Sequence, residues 1–296
     1  MVGQPRVLVL TLSTDEPQLE RCVDSVRAQK QVTLEHRIIS GLGNAEAHRE
    51  LYATIESRAS EFDVFVKVDA DMVLAGDAVL GVIAGMFRRD PELDHVQLAI
   101  DDFYTDEPIM GVHAFSPRAS WPRTDEQLFV DASPLIPGRR AVLWKPPVPI
   151  AVHSPDPSPW QAFRFGVHRA SKAFQHGRSR FRGSQAREQW RTLTRTWDAF
   201  LRHGDAERGL TTYAADLVWR NAIELDEDGY RGEIVDGEYW SAPKEPDELR
   251  AMLEQRWRPG IRRSIHRLRA LGVQRSAQLV GATLRQELQS MRAGER

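Results

Sequence analysis

The stretch Phe62–Leu74, Phe-Asp-Val-Phe-Val-Lys-Val-Asp-Ala-Asp-Met-Val-Leu, limits the fold of this chain more than any other. Val64, Phe65, Val66 and Val68 are β-branched or aromatic. The run is too short for a helix and Gly76-Asp77 breaks it, so it reads as a buried parallel strand. Asp69 and Asp71 fall where that strand runs out. Open α/β sheets bind ligands at the carboxyl ends of their strands. Two carboxylates with only Ala70 between them cannot turn far apart to relieve their repulsion, whereas a divalent cation relieves it directly. Mg²⁺ and Mn²⁺ prefer hard oxygen ligands and commonly take one or two carboxylates together with substrate phosphates. A solvated acidic turn is the other reading of the same two residues.

The flanking sequence alternates between strand and helix patterns. Arg6–Leu12 is an apolar strand, and Ser13-Thr14-Asp15-Glu16-Pro17 supplies the polar, acidic start of a helix that continues through Leu19, Cys22, Val23 and Val26. Leu34–Ser40 is a second strand. Gly41-Leu-Gly43 turns the chain, and Asn44 opens a helix with Ala47, Leu51 and Ile55 on one side. The third strand delivers Asp69 and Asp71, and a helix follows from about 77 to 89. A fourth strand, Asp94–Ile100, ends in Asp101-Asp102. This order predicts an α/β fold with a mainly parallel sheet flanked by helices. Gly41-Leu-Gly43 is not a dinucleotide fingerprint, because position 46 is Glu.

Val-Asp-Ala-Asp after a hydrophobic strand resembles the Asp-X-Asp motif of GT-A glycosyltransferases, especially family 2-like members, and the resemblance covers residues 5–177. It implies a Rossmann-like GT-A domain over 1–177, with 178–296 as a mainly helical C-terminal extension. It further implies a nucleotide-diphosphate-sugar donor whose phosphates are gripped by Mn²⁺ or Mg²⁺, with transfer to a glycan, lipid-linked or small-molecule acceptor in glycan or glycoconjugate synthesis. Thr11, Ser13 and Ser40 stand where the family contacts base and ribose. Asn44-Ala-Glu-Ala-His-Arg49 resembles its Ala-Arg-Asn-type segment, with Arg49 toward the nucleotide or the acids. The family often reads uracil with an aspartate where this chain has Ser40-Gly41.

Asp101, Asp102 and His113 fall on the acceptor side. Asp125-Glu126 stands where inverting members carry the base for the acceptor hydroxyl, although the family order is Glu then Asp. Thr-Asp-Glu-Gln-Leu-Phe also resembles the Asp-Gln motif of retaining family 8-like enzymes; inversion is favoured slightly. His153, at a strand end and followed by prolines 155, 157 and 159, stands where GT-A enzymes return a histidine to the cation, so Asp69, Asp71 and His153 form the expected ligand set. Ser158 can cap a helix from Trp160 to about His176. On it His168, Arg169 and Lys172 lie within one turn as candidate partners for the diphosphate; a basic amphipathic helix packed through Phe163, Val167 and Phe174 is the plainer reading.

Charge is unevenly spread. Residues 1–135 carry 23 Asp and Glu against 12 Lys and Arg, whereas residues 160–203 carry 10 Lys and Arg against 2 acids. An acidic half that can hold a cation and a basic segment that can meet phosphate suit a metal–diphosphate ligand. Residues 256–275 hold seven arginines and no acid, interleaved with Ile261, Ile265, Leu268 and Leu271. That pattern fits peripheral contact with an anionic membrane face, a dimer contact or a solvated helix. No recognition motif accompanies the arginines, which argues against nucleic acid. Cys22 is the single cysteine, so no internal disulfide forms and a reducing, cytoplasmic setting is expected. Two other classes fit parts of the pattern. One is a non-catalytic nucleotide-sugar or glycan-binding protein; the other is a haloacid dehalogenase-like phosphatase, whose first motif Val-Asp-Ala-Asp-Met-Val loosely matches.

Overall fold

A computed structural model describes residues 3–122, 134–135, 140–175, 181–220, 233–258, 271–272, 274–278 and 280–281. The chain divides into two compact units, with the division after Pro157. Among the described residues the first unit contains β1 (Arg6–Ser13), α1 (Leu19–Arg27), β2 (Thr33–Ser40), α2 (Asn44–Ser57), β3 (Val64–Lys67), β4 (Met72–Leu74), α3 (Val79–Arg89), β5 (Leu93–Asp102), β6 (Ile109–Phe115), β7 (Arg140–Trp144) and β8 (Ala151–His153).

β1 shows why the early strands read as continuous apolar runs. Val7 and Val9 pack with Cys22 and Val26 of α1 and with Leu80 and Ile83 of α3, while Leu8 and Leu10 pack with Leu51 and Ile55 of α2. Alternate side chains of a strand point to opposite faces, so a sheet covered on both sides needs apolar residues at every position.

The strands form one sheet in the order β2-β1-β3-β6-β5-β8-β4, with β7 also paired to β5. Four of the seven pairings among the described residues are parallel: β1 with β2, β1 with β3, β5 with β7 and β5 with β8. β6 runs antiparallel between β3 and β5, and β4 antiparallel to β8. The fold class is thus the expected α/β one, with a parallel majority. His113, expected on the acceptor side, lies on β6, the central strand of the order.

The run 62–74 is two strands rather than one. β3 stops at Lys67, and β4 begins at Met72 on the far end of the order. Four strand spacings of about 4.8 Å exceed the ~17 Å that five extended residues can span, so the sheet must curl. Asp69 and Asp71 lie in the crossing between the two strands.

The second unit is helical where described: α4 (Pro159–Phe174), α5 (Gly183–His203), α6 (Ala206–Trp219), α7 (Glu233–Ser241) and α8 (Pro246–Trp257). Its core includes Phe163, Val167, Trp190, Trp197, Trp219 and Trp257. The expected Ser158 cap is present, its hydroxyl accepting from the Gln161 amide at 3.1 Å. α4 packs against α6, where Thr211 Oγ1 donates to the Ala162 carbonyl at 2.9 Å. The buried side chains of α4 thus belong to the helical core, which puts the division at 157/158 rather than at the expected 177/178.

Of the seven C-terminal arginines, Arg256 is bonded to buried Asp216 at 2.8 Å and Arg258 to Glu254 at 3.0 Å. Arg262, Arg263, Arg267 and Arg269 lie outside the described residues. No helix among the described residues is long and apolar enough to cross a membrane.

Candidate metal centre

The β4–β8 ladder builds the centre. Its register sets Met72 opposite His153, so Asp71, one residue before β4, comes beside the histidine at the end of β8. His153 Nε2 lies 3.2 Å from Asp71 Oδ2, and its other ring nitrogen, Nδ1, lies 2.6 Å from Asp102 Oδ1. Asp102 is opposite His153 in the β5–β8 ladder. Three chain segments distant in sequence therefore converge on one imidazole.

Ser154 locks the arrangement. Its amide donates to the Asp71 carbonyl at 2.6 Å and its hydroxyl to Asp71 Oδ2 at 3.0 Å. Ser154 has φ +49°, a left-handed conformation that costs a non-glycine residue about 1 kcal/mol or more. Asp15 and Asp156 share that conformation, at φ 67° and 57°. Gln18 and Arg21 fasten the loop after β8 to α1: Gln18 Nε2 donates to the Pro155 and Asp156 carbonyls at 3.2 and 3.1 Å, and Arg21 pairs with Asp156 at 2.9 Å.

The electrostatics follow from this geometry. Burial alone would raise the Asp71 carboxyl, but the charge of His153 and hydrogen bonds from His153 and Ser154 outweigh it and hold the group well below the usual carboxylate range. Burial alone would lower His153; the Asp71 charge and the bonds to Asp102 and Asp71 outweigh it and raise the imidazole. The pair is thus anion beside imidazolium, the arrangement a cation replaces when it displaces the proton from a ligating nitrogen.

Asp69 sits differently. Its carboxylate is held by buried Lys67, whose Nζ lies 3.1 Å from both oxygens. Past the end of β3 the Val68 and Ala70 amides still bond the Leu10 and Leu12 carbonyls at 3.1 and 3.0 Å, so the chain stays extended and keeps Lys67 and Asp69 on one side. Cys22 lies beneath, its thiol donating to the Asp69 carbonyl at 3.7 Å, and burial pushes that thiol up to about 12. Among the described residues no three His, Cys, Asp or Glu side chains form a ready-made cage. An imidazole nitrogen and an adjacent carboxylate, with a second carboxylate two residues away, still suit Mn²⁺ or Mg²⁺, which complete their shells with water and phosphate oxygens.

The other expected site residues are more scattered. Thr11 is fully buried, with its hydroxyl 2.9 Å from His36 Nε2, so it faces the interior rather than a ligand. Ser13 is buried and donates to Glu16 at 3.1 Å. Ser40 is exposed at the end of β2 and Arg49 on α2. His168, Arg169 and Lys172 are half-buried on α4 of the second unit; Arg169 donates to Gln189 at 3.1 Å. His113 lies on β6 beside His95 and Gln97, at 3.1 and 3.2 Å. Asp125 and Glu126 lie outside the described residues. The partner that sequence reasoning misplaced is Asp102: it turns inward to His153 instead of outward to an acceptor.

Fold and centre together define an α/β protein with a carboxylate–imidazole pair at converging strand ends. No protein-family model matches the chain, and no curated protein matches it. Three of the solved structures to which it is similar are glycosyltransferases. One is a glycosyltransferase involved in glycosylation of the major capsid of PBCV-1, at 12% identity and TM-score 0.34, covering 52% of this chain and 95% of that one. The mannosyltransferase PcManGT from Pyrobaculum calidifontis, solved with GDP-Man and Mn²⁺, is 13% identical with TM-score 0.37, covering 95% and 86%. Glucosyl-3-phosphoglycerate synthase from Mycobacterium tuberculosis, solved with Mn²⁺, UDP and phosphoglyceric acid, is 15% identical with TM-score 0.29, covering 39% and 56%.

Proposed function

We propose that the chain is a divalent-metal-dependent glycosyltransferase that moves a sugar from a nucleotide-diphosphate-sugar to an acceptor hydroxyl. The observation that carries the reading is the approach of His153 Nε2 to Asp71 Oδ2, 3.2 Å, in a buried setting at the ends of paired strands. Asp71 and His153 are the proposed ligands of Mn²⁺ or Mg²⁺, with Asp69 beside them. A cation bound there supplies charge neutralisation to the donor's diphosphate as the sugar–phosphate bond breaks. Lys67 orients Asp69, and Ser154 orients Asp71. Asp125 is the proposed base for the acceptor hydroxyl, with Glu126 next to it.

The test is a thermal-shift screen of nucleotide-sugars with and without Mn²⁺, in the wild type and in Asp71→Ala. Stabilisation that needs sugar-nucleotide and cation together, and disappears in the variant, is the expected result. Equal donor stabilisation with and without Mn²⁺, or in both proteins, would remove the metal from the reading.

A further inference from the structure

We infer that Asp102 is the positioning residue of the centre: its buried carboxylate takes the Nδ1–H of His153 and thereby commits Nε2 to the cation beside Asp71. The inference rests on the reading of Asp71 and His153 as ligands.

An imidazole can be metallated through either nitrogen. The choice is set by the bond that the other nitrogen makes, commonly to a carboxylate. Here Asp102 Oδ1 stands 2.6 Å from Nδ1, and both side chains are almost wholly buried. Nδ1 is therefore occupied from inside the protein, and Nε2 is the nitrogen turned toward Asp71.

Asp102 is itself held. Its second oxygen accepts from the Thr105 amide at 2.9 Å and the Thr105 hydroxyl at 2.6 Å. The Asp106 amide closes the turn on the Asp102 carbonyl at 3.1 Å, and the Phe103 amide bonds the His153 carbonyl at 3.2 Å. With both oxygens engaged, the carboxylate cannot rotate without breaking bonds inside the protein. At 2% exposure it is also too deep to meet an acceptor. Its chemistry is confined to aiming the ring. Thr105, Asp102, His153 and Asp71 form a continuous chain of hydrogen bonds that fixes where the cation-facing nitrogen points.

The experiment measures Mn²⁺ affinity of the full chain, by the paramagnetic resonance of free Mn²⁺, in the wild type, Asp102→Asn, Thr105→Val and His153→Ala, with melting temperature recorded beside it. Asp102→Asn is expected to bind Mn²⁺ about 10- to 100-fold more weakly while still folded, as for other partners of ligating histidines. Thr105→Val is expected to lose less, in the same direction. A carboxylate that merely stabilised the fold would lower the melting temperature and leave the affinity of the folded protein unchanged. Wild-type affinity in Asp102→Asn alongside weak binding in His153→Ala overturns the positioning role and leaves the metal reading standing. Wild-type affinity in His153→Ala overturns the reading itself, and the inference with it. If Asp102→Asn does not fold, Thr105→Val decides, and unchanged affinity there overturns the inference.

Discussion

Gly111 links the packing of the sheet to the proposed metal centre. It is the extra residue of a bulge between β5 and β6: Leu98 pairs with Val112 and Ala99 with Met110, leaving Gly111 unopposed. A Cβ there would stand 2.3 Å from Ile100 Cδ1, 2.8 Å from Ile100 Cγ1 and 3.3 Å from Met72 Cε. The first contact is about 1.5 Å short of a normal carbon–carbon distance. Overpacking of this kind costs roughly 1–3 kcal/mol, and the strand gains back about 0.5–1 kcal/mol when Ala replaces Gly. Gly111→Ala should therefore lose about 1–2 kcal/mol. In an Ile100→Ala background, itself about 2–5 kcal/mol less stable, both offending atoms are gone and the same change should gain about 0.5–1 kcal/mol. Urea denaturation of the four proteins gives the coupling, expected near 2 kcal/mol. Ile100 lies two residues before Asp102 and Met72 follows Asp71, so Mn²⁺ affinity should fall in Gly111→Ala and recover in the double variant. An equal cost of Gly111→Ala in both backgrounds would refute the steric account.

Other sites give independent checks. Burial lowers His95 from 6.5 to about 4, so the folded chain resists a proton that the unfolded chain takes up. The stability is complete above about pH 6.5 and lost as pH falls toward 4, by up to about 3 kcal/mol; His95→Gln should flatten this slope in denaturation measured from pH 7.5 to 4.5, and an unchanged slope would exclude His95 as its source. Ser154→Ala and Ser154→Gly both lose the hydroxyl bond to Asp71, but only the alanine keeps the unfavourable φ. Calorimetry should find Ser154→Ala less stable than Ser154→Gly by about 1 kcal/mol, and the reverse order would show that the conformation carries no strain. In the helical unit, a Cβ on Gly166 would meet the Thr211 carbonyl oxygen at 2.1 Å. Backbone cannot yield as a side-chain tip does, so Gly166→Ala should cost more than about 2 kcal/mol in the same assay despite the better helix propensity of alanine; a stabilised variant would refute the close approach of α4 and α6.

How far the sequence carries can be followed along single strands. The apolar runs of β1 and β3 place a two-faced sheet correctly because burial on both sides leaves little freedom in residue type. The split of 62–74 into β3 and β4 is not legible, since three residues of β4 carry no period and its partner β8 lies far along the chain. Only the resemblance, and not the spacing, joined His153 to Asp71. The phase of β5 did hold the missing information. Val96, Leu98 and Ile100 all pack into the core cluster beneath α1 and α3, and Asp102 continues their alternation, whereas Asp101 falls on the opposite phase. A carboxylate in phase with a buried face must find a partner inside the protein, which predicts an inward role for Asp102. Thr11, in phase with Val7 and Val9, is turned inward by the same rule and satisfied by His36. Lys67 shares the phase of Phe65 on β3, and Asp69, just past the strand's end, meets it and satisfies its charge. Strand phase thus picks out the acids that aim or brace other groups inside the protein. Asp71, at the crossing where β3 has ended and β4 has not begun, belongs to no strand phase; Ser154 and His153, brought beside it by the β4–β8 pairing, fix its carboxylate instead.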